Sequence, residues 1–469
     1  MLSIQVFLLY QLFERHVYAS RIFFVICLNK QGQDERKLGM STVEASYPSA
    51  GRVILHIDMN AFYCSVHEAE EPERYKDRAI AVAGSVELRR GIIVTSSYAA
   101  RSKGIRTGMQ VREALRLCPE LILLEPNFDL YRVYSKRFMS LASEYSPLVE
   151  AVSIDECYVD ITGSKLFGTP LEIAEGLQQR IDGLLGLPCS IGVAPNKLLA
   201  KMASDMKKPR GLTVLRLRDV PAVLWPLGCS ELFGIGRKTG EKLAKLNIHT
   251  IGQLAQTDEQ LLIDHFGVYG NWMKQAAHGI DHSQVNPVRE QSKSIGHTTT
   301  LPKNFTSRTD IHRVFLNLAD QVCRRLRHQK LIASTVQITI RDPEMKTITR
   351  SHTLRHATEH ADEVYKVACE LFDRHWKSGS PVRLLGITLQ GLEAKKDAAL
   401  QLDLFDYEKQ PVREKLNEAM DRLRDKYGES AVLTAGMLSE DPSALIRDHK
   451  RRGTSLQMDH LRNPDQRED

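Results

Sequence analysis

The sequence predicts a multidomain α+β protein, and three observations predict it. The chain has 469 residues, more than a single domain usually holds. Strand-like and helix-like segments alternate through residues 53–216 and again through 292–396, whereas 217–283 reads as short helices separated by glycines. The composition, 42% hydrophobic and 26% charged, is that of a globular chain able to fill several cores.

Residues 1–28 carry two apolar runs, but Glu14, Arg15, His16 and Arg21 interrupt them. The first run falls short of the roughly 20 residues that a membrane span needs. We read this stretch as an upstream extension, with Met40 as the start of the protein and no stable membrane association. Residues 29–51, polar and rich in Gly and Ser, read as a linker. Residues 53–58 (VILHID) are a short apolar, β-branched run ending in an acid, which predicts a buried strand. A mixed, basic stretch extends to 126, then a helix over 129–145. Residues 150–162 (EAVSIDECYVDIT) are β-rich around an acidic pair, 170–186 read as an amphipathic helix, and 189–209 as strand, turn and helix. Residues 284–291 are a polar tether. Beyond 396 come QLDLF (401–405), a helix over 410–427 with apolar Val412, Leu416, Leu423 and Tyr427 closed by Gly428, and a polar tail over 438–469 read as disordered.

The eight cysteines (Cys27, Cys64, Cys118, Cys157, Cys189, Cys229, Cys323 and Cys369) are scattered with no CxxC pair. That argues against a zinc site or a disulfide framework and for reduced thiols in a cytoplasmic protein. The formal net charge is only +6, but residues 292–396 hold 18 Lys and Arg against 10 Asp and Glu. A basic module suited to a phosphate backbone and a plain solvated basic face both fit that excess.

Asp58 ends an apolar strand, and Asp155 and Glu156 are adjacent after Ile154. Any one such acid is ordinarily a cap or a turn residue. An adjacent pair is different, because mutual repulsion favours a cation between them. Oxygen ligands without nearby His or Cys point to Mg²⁺ or Mn²⁺. Two such ions suit phosphoryl transfer, stabilising attacking and leaving oxygens together.

HIDMNAFYCSV (56–66), SSYAARSKGIRTGM (96–109), VSIDECYVDIT (152–162) and SIGVAPNKLLAKMASDMKKPRG (190–211) resemble, in this order, the motifs of the Y-family DNA polymerases, the bacterial members above all. The resemblance covers about residues 52–396. It implies a right-hand polymerase: a palm at 52–61 and 127–216, small fingers at 62–126, a helical thumb with a helix-hairpin-helix at 217–283, a linker at 284–291 and an α+β little finger at 292–396. It implies that Asp58 and Asp155 bridge two Mg²⁺ ions, with Mn²⁺ a substitute. Glu156 would take the primer-side ion, and the Met59 main-chain carbonyl would complete the nucleotide-side one. Asp160 is read as structural. The implied reaction is low-fidelity addition of dNTPs to primer–template DNA, as a monomer, in translesion synthesis. No stretch remains for a proofreading exonuclease.

The same resemblance makes Tyr63 the steric gate against ribose, with Phe62 a core aromatic. Tyr98 and Arg101 are three apart and share a helix face, suited to a triphosphate tail, and Lys208 adds a compact charge. Lys207 is its neighbouring competitor. FGIGRKTGEKLAKLNIHTIGQLA (233–255) resembles a helix-hairpin-helix, where Gly234 and Gly236 would let amides approach a phosphate beside Lys238, Lys242 and Lys245. SKSIG, with Lys293, matches the opening of the little finger, whose Lys and Arg residues would track phosphates. QLDLF resembles the sliding-clamp peptide of bacterial polymerases, with Gln401 on a groove rim and Leu402, Leu404 and Phe405 in an apolar pocket. Two other readings stay open: a catalytically silent DNA- and clamp-binding factor, and a metal-dependent nuclease.

Overall fold

The computed structural model describes residues 51–84, 91–288, 291–397 and 409–437. The N-terminal extension and its start at Met40, the linker before residue 51, QLDLF and the 438–469 tail therefore lie outside the described residues. Among those described, no helix is long and apolar enough to cross a membrane.

The chain opens with β1 (Ile54–Met59), α1 (Phe62–Glu70) and the single turn α2 (Pro72–Tyr75). A small unit comes next, built from β2 (Ile80–Ala83), β3 (Ile93–Ser96), α3 (Tyr98–Ser102), α4 (Val111–Leu117) and β4 (Ile122–Leu124). Then come α5 (Phe128–Ser143), β5 (Val149–Ala151), β6 (Glu156–Asp160), α6 (Pro170–Leu185), β7 (Cys189–Ala194), α7 (Lys197–Met206) and β8 (Leu212–Val214). Short helices α8 (Arg237–Lys245), α9 (Ile251–Gln256), α10 (Glu259–Phe266) and α11 (Val268–Ala277) lead to a last module. That module is β9 (Ser294–Phe305), α12 (Arg308–His328), β10 (Leu331–Arg341), β11 (Thr347–Thr358), α13 (Ala361–His375) and β12 (Val382–Ala394), with α14 (Lys409–Tyr427) after it.

The first sheet has the order β5–β6–β1–β7–β8. Its middle strand β1 is buried at every residue, as an unbroken apolar run predicts for a strand covered on both faces. β1 runs antiparallel to β6 and β7, with Asp58 directly opposite Glu156. Gly192 of β7 lets α7 lie flat on the sheet, because a Cβ there would stand 2.0 Å from the Ala200 carbonyl oxygen and 2.6 Å from the Ser204 nitrogen. The apolar side of α7 (Leu198, Leu199, Met202 and Ala203) is buried in one core with Leu243, Leu254, Leu262 and Met273 of the short helices. The tether is less free than its composition suggests. The Asn286 amide donates to Glu150 at 2.8 Å, the Lys197 ammonium bonds the same carboxylate at 2.7 Å, and Val285 is buried.

The small sheet, ordered β3–β2–β4, packs on a core rich in alanine: Ala79, Ala81, Ala83, Ala100 and Ala114 with Ile93, Ile105 and Val111. Such short side chains keep this unit thin. The last module is an antiparallel sheet ordered β11–β10–β12–β9. Val336, Ile338 and Ile340 of β10 and Leu385, Ile387 and Leu389 of β12 are buried in one core with the apolar residues of α12 and α13. The alternate residues of these strands, among them Thr335, Gln337, Thr339, Thr388 and Gln390, are only half-buried. This is the period-two pattern of a sheet with one face packed.

The helix expected over 410–427 runs Lys409–Tyr427, and it is not part of a free tail. Asp421 pairs with Arg327 at 2.7 Å, Asp425 with Arg324 at 2.6 Å, and Glu414 with Lys395 at 3.0 Å. Arg424 is fully buried, 3.1 Å from Asp320, and donates to the Val432 carbonyl. Arg324, Arg327 and Lys395 thus spend their charge inside the protein, and the excess counted from sequence overstates what faces outward. Val412, Leu416, Leu423 and Tyr427 lie on the exposed side of α14. Arg424→Ala leaves Asp320 buried without this partner. We expect a loss of about 3 kcal/mol or more, read as a lowered denaturant midpoint with an unchanged slope.

Candidate active site

Three local features bring the sequence-predicted acids together. β1 ends at Met59, and Asn60 pins that end: its buried side chain donates to Ser190 Oγ at 3.0 Å and accepts from the Arg210 amide at 2.8 Å. Ala61 then turns left-handed at φ 49°, a conformation that a non-glycine residue holds only where its surroundings impose it. That turn starts α1 and places Tyr63 where the Asp155 charge reaches its hydroxyl. On the neighbouring strand, the Met59 amide donates to the Asp155 carbonyl at 3.0 Å, which sets Asp155 beside Asp58.

The acids do not all point the same way. Asp58 and Glu156 converge on Lys201 of α7, whose Nζ is 3.0 Å from Asp58 Oδ2 and 2.5 Å from Glu156 Oε1. Asp155 accepts from the Ser153 hydroxyl at 2.5 Å. Among the described residues, no three His, Cys, Asp or Glu side chains are grouped as a metal would hold them. The donor set nevertheless fits a hard dication, because every side chain offered is a carboxylate and the cluster already draws in two ammonium groups. Lys208 Nζ is the second, 2.8 Å from Asp58 Oδ2 and 2.8 Å from Asp205.

The protonation equilibria reflect this packing. Burial disfavours the charge on Asp58, but the hydrogen bond shared with Glu156 and the two ammoniums outweigh it and hold the carboxyl at about 2. Burial, then the bond to Asp58, pushes Glu156 up to about 7. Burial also raises Asp155, with the Asp58 charge adding to it and the Ser153 bond opposing it. His56, two residues before Asp58, is driven down to about 3, first by burial and then by Lys201. It is a neutral ring bonded to Ser204 Oγ at 2.8 Å. Asp160 accepts from the Thr162 amide at 2.9 Å.

Tyr63 is buried among aromatics. Its ring stacks on Tyr131 of α5 at 4.3 Å between centroids and meets the edge of Phe128 at 6.0 Å. Tyr131 is held in turn by a 2.8 Å bond between its hydroxyl and His67 Nε2. Tyr98 and Arg101 share a face of α3, as their spacing predicts, with the guanidinium 4.8 Å from the Tyr98 ring centroid and its Nε donating to the Ser96 carbonyl. The Tyr98 hydroxyl is buried and has no protein partner. An orphan donor of this kind suits an anionic ligand. Lys208 sits on Asp58, and its charge also reaches the Tyr98 hydroxyl.

Sequence reasoning missed Lys201 and Tyr131. A lysine inside LLAKMA, on a helix face otherwise apolar, was the available signal for the first. Nothing local marks the second, because its role comes from the packing of α5 on α1.

Away from the acids, Gly236 caps α8, and Gly234 holds φ 94°. A Cβ on Gly234 would come within 2.4 Å of the Trp272 ring, so only glycine passes there. Lys238 is exposed on the first turn of α8, and Lys293 is exposed just before β9.

Three sequence profiles match this chain. The impB/mucB/samB family matches residues 57–205, its C-terminal domain residues 292–404, and the IMS family HHH motif residues 218–248. DNA polymerase IV of Oceanobacillus iheyensis is 46% identical over 411 residues, which cover 87% of this chain and 96% of that protein. DNA polymerase IV 1 of Bacillus subtilis is 45% identical over 413 residues, covering 88% and 98%. A solved Y-family DNA polymerase chimera superposes with a TM-score of 0.64 at 25% identity, over 72% of this chain and 98% of that one.

Proposed function

We infer the roles of individual residues from one premise: the chain belongs to the impB/mucB/samB family of Y-family DNA polymerases. It is a template-directed DNA polymerase of translesion synthesis, dependent on a divalent metal and acting on primer–template DNA with deoxynucleoside triphosphates. The fold is the α+β right hand with a helix-hairpin-helix.

In our reading the first sheet with α5, α6 and α7 is the palm, and the alanine-rich unit is the fingers. Helices α8 to α11 form the thumb, and the last module is the little finger. The observation that carries the site assignment is the junction of β1 and β6, where Asp58 faces Glu156 and Asp155 lies within one backbone hydrogen bond. We assign Asp58 and Asp155 as shared ligands of two Mg²⁺ ions, Glu156 as the primer-side ligand and the Met59 carbonyl as a nucleotide-side one. Those ions, or Mn²⁺ in their place, would activate the primer hydroxyl and neutralise charge on the departing pyrophosphate. The chain's own work is positioning. Tyr98, Arg101 and Lys208 hold the triphosphate, and Tyr63 walls off C2′ of the sugar. A fingers unit this small would enclose the template base loosely, which supports the reading of low fidelity. Gly234, Gly236, Lys238 and Lys293 grip the DNA backbone without reading sequence. We read the enzyme as a monomer of the bacterial cytoplasm.

A primer-extension gel with Mg²⁺ and dNTPs tests the assignment. A nuclease shortens the primer, a silent binding factor leaves it unchanged, and a polymerase lengthens it.

Clamp recruitment through Gln401, Leu402, Leu404 and Phe405 rests on the sequence alone. Replacing Leu404 and Phe405 with alanine removes both apolar anchors. We expect clamp affinity to fall about tenfold or more, with clamp-free extension unchanged. Equal loss in both assays sinks the idea.

A further inference from the structure

We propose that Lys201 is a built-in counter-ion that keeps the free active site from holding a divalent ion firmly until nucleotide and primer arrive. The proposal rests on the reading of Asp58, Asp155 and Glu156 as metal ligands. The Lys201 ammonium lies between two of them, 3.0 Å from Asp58 Oδ2 and 2.5 Å from Glu156 Oε1. It thereby occupies one oxygen on each carboxylate. Lys208 Nζ lies 2.8 Å from the same Asp58 oxygen.

The two lysines differ in how they are held. Lys201 sits in the middle of α7, which Gly192 lets lie directly on the sheet, and its side chain is 11% exposed. Lys208 lies beyond the end of that helix and is 27% exposed. Lys208 can swing from Asp58 to a triphosphate. Lys201 has the carboxylates on one side and the packed helix on the other, so it stays.

The balance of charge sets when an ion can bind. Four carboxylates (Asp58, Asp155, Glu156 and Asp205) face the two ammoniums, so at most two net negative charges remain, and a fixed cation within a few ångströms opposes a dication strongly in a partly buried site. A nucleotide reverses the balance. Its phosphates bring negative charge to the site and draw Lys208 away from Asp58, so metal loading becomes conditional on substrate. Lys201 is a positioning residue in this scheme. It also holds the Glu156 carboxylate against Asp58 while no ion does so.

The test measures Mn²⁺ binding to the nucleotide-free, DNA-free protein by electron paramagnetic resonance of unbound Mn²⁺. Lys201→Met, which removes the charge and keeps the bulk, should bind Mn²⁺ at least about tenfold more tightly than the wild type. Lys201→Arg should bind it as weakly as the wild type, which a merely structural lysine does not predict. Affinity unchanged or weakened in a folded Lys201→Met protein overturns the proposal. Should that variant fail to fold, Lys201→Gln makes the same comparison, because it keeps a donor to Glu156 without the charge. Asp155→Ala is measured alongside, in the Lys201→Met background where Mn²⁺ is expected to bind. If it leaves Mn²⁺ binding untouched, the metal reading falls and the counter-ion falls with it. If it lowers binding while Lys201→Met matches the wild type, the counter-ion alone is wrong.

Discussion

Asp155→Ala should lose primer extension by roughly a thousandfold, about 4 kcal/mol of transition-state stabilisation, while still binding primer–template DNA. Asp155 is a cleaner probe than its neighbours. Asp58 is paired with both Lys201 and Lys208, and Glu156 with Lys201. Removing either acid takes a partner from the largely buried Lys201 ammonium, so lost activity would be mixed with lost stability. The Asp155 carboxylate instead accepts from Ser153, and its backbone carbonyl keeps the bond from the Met59 amide whatever the side chain. We therefore expect the unfolding midpoint to move little, and upward if anything, since a desolvated acid is removed. DNA affinity measured by anisotropy should match the wild type. Extension at more than a few per cent of the wild-type rate, with the fold intact, would show that Asp155 is not a shared ligand.

The sequence made some of this legible and hid the rest for physical reasons. VILHID announces a buried strand because six neighbouring residues share one environment, and the SIDE block places acids at the end of its partner. Both signals are local. The spacing of Tyr98 and Arg101 likewise encodes a shared helix face, and the structure stacks the guanidinium on the ring. Lys201 is harder to see, because its partner Asp58 is far away in the chain and a lysine normally reads as solvent-facing. The docking of α14 was hidden in the same way. Arg324 and Arg327 counted as DNA-facing charge until Asp421 and Asp425 came to meet them across the fold. Net charge over a segment cannot separate cations that face a ligand from cations that close an internal ion pair. Lys208 shows a further limit: a motif names the residue but not its carboxylate partners, Asp58 and Asp205.

Tyr63→Ala should lower discrimination against ribonucleotides by roughly 5- to 160-fold, the range expected when a clash worth about 1–3 kcal/mol is relieved. A steric gate works only if its ring cannot yield, and the packing here is stiff. Tyr63 is stacked on Tyr131 at 4.3 Å with 23° between the planes, Phe128 abuts it edge-on, and Tyr131 is fixed through His67. Burial, assisted by the Asp155 charge, pushes the Tyr63 hydroxyl up to about 12, so the phenol is neutral at working pH and contributes shape rather than charge. Tyr63→Phe should accordingly keep the gate, since it retains the ring and its stack. Truncation to alanine also opens a cavity beside Tyr131, at a cost of about 3–5 kcal/mol. Overall activity is for that reason a poor readout. The ratio of kcat/KM for a deoxynucleotide to that for its ribo counterpart is the sound one, because a partly unfolded population lowers both values equally and cancels. A ratio unchanged from the wild type in Tyr63→Ala would mean that the sugar is sorted elsewhere. A ratio lost in Tyr63→Phe would mean that the hydroxyl, and not the ring, is the discriminating group.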